Sequence, residues 1–143
     1  MKIKKILLIN IMFAFLLASV IQVTGSQNID TTTLEISDIR GGFGGVTTDI
    51  KNTGNVIAEN FAITISVKGG LLNNIDILQE CSGCGNCGTT IAPGEIKSES
   101  TFESGNIIGF GPISIVVTAE ADNADFLSME TNGFVLGPFI III

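Results

Sequence analysis

Three cysteines, Cys81, Cys84 and Cys87, lie within the run Glu80-Cys-Ser-Gly-Cys-Gly-Asn-Cys-Gly88, the most chemically pointed stretch of this 143-residue chain. Three thiolates at this spacing could bind zinc or an iron–sulfur cluster, but both usually take four protein ligands. The sequence has no histidine to supply a fourth. Glu80, as the immediate neighbour of Cys81, reaches a shared metal only at an awkward angle. In an oxidising compartment the same residues give a short loop disulfide, with one thiol left over that reacts or joins another chain. A ring this small contributes roughly 2–3 kcal/mol through loop-closure entropy before strain. The expectation is one intramolecular disulfide among the three cysteines. A small metal-binding or redox-active domain built on the loop from Glu80 to Thr90 is the alternative.

Asp122, Asn123 and Asp125 form a second group of candidate ligands. Calcium takes six or more oxygens and this turn supplies three locally, while turn chemistry accounts for the same residue types. The missing histidine also removes the Ser-His and Cys-His arrangements of nucleophilic catalysis. Arg40-Gly-Gly-Phe-Gly-Gly45 has the composition of a phosphate-cradling loop, but such a loop opens a helix and here a strand pattern follows. No catalytic residue and no cofactor are expected.

The segment ahead of these residues decides where they work. Lys2, Lys4 and Lys5 form a basic start, and Ile6 to Val23 is apolar apart from Asn10 and Gln22. Val23 and Gly25 stand at the spacing that precedes a signal-peptidase cut, so residues 1–25 read as a secretory signal peptide, an apolar signal helix. An uncleaved signal anchor is the alternative, since about 18 apolar residues approach the length that spans a bilayer. Residues 26–143 keep four basic residues and all fourteen acids, a net charge of −10. Such a surface repels phosphate backbones, so nucleic acid is not an expected partner. Carboxylates along strand-rich surfaces also oppose edge-to-edge association.

Ser26 to Thr33 reads as a flexible lead, and residues 34–143 as one domain of strands. From Gly44 to Lys68 the chain alternates: Val46, Thr48 and Ile50 fall on one face of a strand, and Phe61, Ile63, Ile65 and Val67 on one face of the next. Asn52-Thr-Gly-Asn55 between them predicts a hairpin turn. Ile75 and Ile77 mark a further strand. Ala92-Pro-Gly-Glu95 has the form of a type II turn. Ile96 to Glu103 predicts a strand with Ile96, Ser98, Ser100 and Phe102 on one face and a charged outer face of Lys97, Glu99, Thr101 and Glu103. Ile113, Ile115, Val117 and Ala119 alternate in the strongest strand, and their side chains are expected to meet those of Phe61, Ile63 and Ile65 across two sheets. A segment from Phe126 breaks at Asn132-Gly133, and Phe134 to Ile143 reads as a terminal strand with a Gly-Pro bulge, buried on both faces or covered by a partner. Seven or eight short strands without an amphipathic helix predict an all-β, immunoglobulin-like antiparallel β-sandwich, with a closed barrel as the alternative.

The run from Ile50 to Gly70, with Thr90 to Glu95, Ile107 to Ala121 and Gly133 to Phe139, resembles CARDB-like modules, cell-adhesion-related immunoglobulin-like sandwiches of secreted prokaryotic surface proteins and their uncharacterised archaeal relatives. Asn52, Thr53 and Gly54 match the family's Asn-Thr-Gly turn, and Ala58 with Asn60 the Ala-x-Asn lead into the next strand. Pro93, Gly94 and Glu95 match its Pro-Gly-Glu turn, and Gly109, Phe110 and Gly111 its Gly-x-Gly loop. The cysteine loop and the lack of neighbouring repeats depart from the family. The resemblance implies a non-catalytic secreted or cell-surface module for adhesion, envelope structure or protein–protein contact. Its expected partner is an unidentified protein or envelope component, with the membrane reached only through an uncleaved N-terminal segment.

Overall fold

The computed structural model describes residues 30–82 and 88–143. The apolar segment 1–25, the first residues of the lead, Cys84 and Cys87 lie outside them. Ten strands follow in order: β1 (Leu34–Gly41), β2 (Val46–Asn52), β3 (Ala58–Glu59), β4 (Ala62–Gly69), β5 (Ile75–Ser82), β6 (Thr90–Ile91), β7 (Ile96–Ser100), β8 (Gly109–Ala121), β9 (Ala124–Gly137) and β10 (Phe139–Ile142). Helix is limited, among the described residues, to 3-10 turns at Leu71–Asn73 and Thr101–Ser104. A three-stranded sheet runs β1-β2-β7, a five-stranded sheet β10-β9-β8-β4-β5, and a two-stranded sheet β3-β6. Every ladder is antiparallel.

The two larger sheets share one hydrophobic cluster. Ile36, Val46 and Ile50 from the first meet Ile63, Ile65, Ile115, Val117 and Val135 from the second. Period-two alternation produces this directly, because every second side chain of β2, β4 and β8 turns to the same side of its sheet. Each such Val or Ile, taken fully out of water, contributes about 1.5–3 kcal/mol. One expectation needs correction here. Ile65 pairs with Val117 and Val67 with Ile115 within a single sheet, so β4 and β8 do not face one another. They look together at β1 and β2.

The expected hairpin from Gly44 to Lys68 is also not formed. Its two strands exist with the expected inward faces, but β2 joins β1 and β7 while β4 joins β5 and β8. Residues 53–61 carry the chain from one sheet to the other, and the fully buried Asn52 makes that crossing possible. Its side-chain amide donates to the carbonyls of Val56 (2.7 Å) and Ile91 (3.0 Å), and its Oδ1 accepts the Gly54 N–H at 3.0 Å. The Ile91 bond is buried and the other two partly so, and together they satisfy backbone groups at the point where the chain leaves the ladder. Asp30 to Thr33 run alongside the same corner, with Thr53 N–H donating to the Thr33 carbonyl and Asn55 N–H to that of Thr31.

Two further strands differ from expectation. In β7 the inward face is the charged one: Glu99 is buried while Ile96 is about half exposed. Glu99 pairs with Thr48 and Lys97 with Ile50, both inward positions of β2. The chain then leaves the sheet in the turn Thr101–Ser104, whose Thr101 hydroxyl accepts the Val46 N–H at 3.0 Å. In β9 the Asn132-Gly133 pair is no break. Gly133 lies inside a continuous strand, where a Cβ would come within 2.8 Å of the Ile141 carbonyl, so the glycine serves close backbone approach. The true reversal is Gly137-Pro138, with Gly137 at φ 63 and Leu136 paired to Phe139. That is a two-residue hairpin turn rather than a bulge.

Candidate functional site

Cys81 sits in β5, directly opposite Ile63 of β4 and on the core side of the sheet, 8% exposed. It is thus part of a strand and not of the loop that was expected to carry all three cysteines. Its sulfur is not a free thiol. Cys84 and Cys87 lie outside the described residues. Among the described residues no group of three or more His, Cys, Asp or Glu is placed to hold a metal ion.

The structure places Asp122 and Asn123 in the two-residue turn between β8 and β9, where Ala121 pairs with Ala124. Asn123 Oδ1 accepts the Glu59 N–H (3.0 Å) and its Nδ2 donates to the Ile57 carbonyl (2.9 Å). Asp122 N–H donates to the Glu59 carbonyl at 2.8 Å, and its carboxylate accepts from the Asn60 side chain. Asn60 holds a left-handed backbone, φ 51, which asparagine tolerates better than most residues. The turn therefore clamps the crossing segment to the end of β8. Asp30, Thr31, Thr32 and Asp125 line an open cleft beside it. With the Asn123 oxygen and an Asp122 oxygen already engaged, the turn falls further short of the oxygens calcium takes.

A polar cluster that sequence reasoning missed lies between the free sides of the two sheets. Gln79 of β5 and Glu99 of β7 are each 7% exposed, and Gln79 Nε2 donates to Glu99 Oε1 at 2.8 Å. The Ser104 hydroxyl lies against Gln79 Oε1 and the Leu78 carbonyl. Burial pushes the Glu99 carboxyl above its ordinary value; the Gln79 hydrogen bond opposes this, and the charge of Glu103 adds to it. Since β5 ends one sheet and β7 the other, this pair clasps the two edges together. Nothing in the alternation of Ile96 to Glu103 marks it, because the partner comes from another sheet.

On the outer face of the three-stranded sheet, Arg40 of β1 grips Asp49 of β2 in a two-pronged contact, Nη1 to Oδ2 at 2.6 Å and Nη2 to Oδ1 at 3.0 Å. Asp38 accepts a further bond from Arg40, and Ser98 of β7 donates to Asp49. Arg40 first and Ser98 second hold Asp49 below the usual carboxylate range. Such bidentate pairs fix geometry as well as charge, and this one ties three strands. Glu95 is likewise held low, by the Ala92 N–H that closes its turn and then by Lys97. The Pro93-Gly94 pair sits where expected, with Gly94 at φ 79 and Glu95 N–H bonded to the Ala92 carbonyl.

No family model matches the sequence, and no curated protein does. Among solved structures, a mutant β-glucosidase from Listeria innocua in complex with laminaribiose is similar at a TM-score of 0.32 and 15% identity, over 72% of this chain. The chain spans 16% of that enzyme's length, and a likeness of this size carries no argument about activity.

Proposed function

We propose that this chain is a non-catalytic, immunoglobulin-like β-sandwich module, secreted or held at the cell surface, that acts in adhesion, envelope structure or protein–protein contact. The observation that carries the reading is the use made of the polar side chains that could do chemistry. Asn123 and Asp122 clamp a crossing segment, Asn52 satisfies a chain passing between sheets, and Gln79 with Glu99 joins two sheet edges. Each is held by groups of the fold itself, which is how structural polar residues behave. The CARDB-like pattern of residues supports the same module type, and the basic and apolar start of the sequence supports export.

The cysteine loop belongs to this reading as a brace. One disulfide closes it with Cys81 as one half, consistent with a buried Cys81 sulfur that is not free. The third thiol reacts with alkylating agents or joins two chains. Intact-mass analysis of protein from its host, with and without reductant and beside metal analysis, tests both points. Two hydrogens gained on reduction, with no stoichiometric metal, are the expected outcome. One equivalent of zinc or iron with three unreactive thiols would overturn it in favour of a metal domain.

A further inference from the structure

We propose that two copies of this chain pack face to face through the outer side of the five-stranded sheet, at the end built by β8, β9 and β10. The proposal rests on the contact-module reading and names its surface and its partner.

Strand register places the side chains. Phe110, Leu136 and Phe139 stand side by side across the three strands, and Pro112, Phe134 and Ile141 form the next row. Their inward neighbours Ile113, Val135 and Ile140 are buried, so both rows point outward. Phe110, Leu136, Phe139 and Ile141 are each 51–56% exposed. Directly paired side chains on one face lie about 4.5–5.5 Å apart, so the rows form a continuous surface. It is also preformed: Phe110 meets Phe134 edge-on at 5.1 Å, and Phe43 meets Phe139 at 5.7 Å. Leu72 in the β4–β5 turn, 91% exposed, and Ile108 just before β8 extend the apolar character of this end.

Charge separates this end from the rest of the molecule. Residues 41–48, 69–75, 104–119 and 131–143 contain no Lys, Arg, Asp or Glu, although the chain has fourteen acids. At the opposite end of β8 stand Asp122 and Asp125, with Asp30 beside them. Thirteen residues at about 3.3 Å each put those acids roughly 40 Å away, several Debye lengths. The nearest charges on the sheet, Glu130, which accepts from Ser114, and the Lys68–Asp76 pair, begin one row beyond Pro112 and Phe134.

Among possible occupants a second copy fits best. A bilayer surface recruits amphipathic proteins through Lys and Arg around the apolar patch. Here Arg40 is paired with Asp38 and Asp49, and Lys68 with Asp76. A neutral face needs a neutral counterpart, and the same face of another copy supplies one while leaving both acidic ends far apart. Half-exposed Phe, Leu and Ile side chains offer about 100 Å² each, so the rows with Phe43, Leu72 and Ile108 present on the order of 800 Å². Two faces made of the rows alone bury about 1,000 Å², and about 1,600 Å² where Phe43, Leu72 and Ile108 also join, the range of a specific interface. A two-fold axis lets each row pack on its own counterpart, with the sheets about 10 Å apart.

Sedimentation of the protein as its host exports it, from about 1 to 100 μM, should show a dimer. Leu136→Glu and Phe139→Glu should each weaken association about 30-fold or more. Both positions are over half exposed, so the circular dichroism should stay unchanged and unfolding should remain cooperative, with only the concentration-dependent part of the midpoint lost. Ile57→Glu, an exposed apolar position at the acidic end, should leave the dimer intact. A wild-type monomer at every concentration would overturn the proposal, as would a dimer surviving both changes or one abolished by reductant. Flotation of monomer with neutral phosphatidylcholine vesicles would reassign the face to lipid. Failure on any of these counts leaves the contact-module reading standing, whereas a metal at the cysteines would sink that reading without touching the dimer.

Discussion

Replacing Glu99 by Gln should make the protein more stable at neutral pH and remove part of its pH dependence. Glu99 is a buried carboxyl whose folded-state value lies above the ordinary 4.5, with burial as the main cause. A raised value means that the native state holds the proton more tightly than the unfolded chain. Its contribution is therefore fully present below about pH 4.5 and is lost as pH rises through the higher native value. One proton sets the ceiling on that loss at about 1.4 kcal/mol per pH unit. Water at the sheet edge keeps the real slope below the ceiling. For a domain of this size 1 kcal/mol corresponds to roughly 4 °C in midpoint. The amide of the Glu99→Gln variant keeps an acceptor for Gln79 Nε2 and never ionises. The assay is thermal unfolding of both proteins from pH 4 to pH 8. The two midpoints should nearly coincide at pH 4 and separate above it, with the variant the higher. Asp49 and Glu95, held low by Arg40 and by the Ala92 N–H, lose their contributions on the acid side, equally in both proteins. The difference therefore isolates Glu99. Removing the donor with Gln79→Leu should steepen the dependence. Parallel curves across this range, or a variant less stable at pH 7, would refute the reasoning.

Two further outcomes follow from burial. Ile65→Ala, at a position with no exposure between two paired strands, should cost about 3–5 kcal/mol, whereas Thr64→Ala on the outer face should stay within about 0.5 kcal/mol; equal urea midpoints would mean the inward face is misassigned. Cys81→Ser places a hydroxyl among core side chains and should cost about 1–3 kcal/mol more than serine at whichever other cysteine is unpaired. Equal losses at all three positions in denaturant titrations would show that Cys81 does not act as a core residue.

Inward faces were legible in the sequence because alternation is local: Val46, Thr48 and Ile50, then Ile63, Ile65 and Val67, turn inward as their spacing requires. Sheet membership was not legible, because it depends on partners far along the chain. Asn52-Thr-Gly-Asn55 has the residues of a hairpin turn, yet the buried Asn52 amide bonds Ile91 thirty-nine positions on and sends the chain to the other sheet. Asn132-Gly133 reads locally as a turn, but the Ile141 carbonyl packed on Gly133 fixes a strand there. For β7 local reasoning pointed to the wrong face, since apolar Ile96 and Phe102 suggested burial. The actual requirement was a polar partner for Gln79, which no periodicity can show. The candidate ligands divide in the same way. Asp122 and Asn123 were correctly placed in a turn, while Cys81 was assigned to a loop because three cysteines in sequence look like one feature.

The four outer strand edges are closed by two different devices, and the difference bears on what the surface can do. On one side β1 runs against β10: Ile140 N–H donates to the Gly42 carbonyl at 2.9 Å and Gly44 N–H to that of Pro138 at 2.6 Å. A Cβ at Gly41 would lie 2.3 Å from the Ile140 carbonyl, so only glycine allows this approach. On the other side β5 and β7 are joined by Gln79 and Glu99 rather than by backbone. The first closure has no titratable part, whereas the second contains a carboxyl whose ionisation is opposed by burial and only partly offset by the Gln79 N–H. The backbone bonds between β10 and the chain that follows β1 occupy that edge, which opposes strand addition between molecules there. The apolar surface left over in this fold is a face. That is where the chain keeps Phe110, Leu136 and Phe139, and a face of this kind selects a partner by shape and burial rather than by backbone pairing.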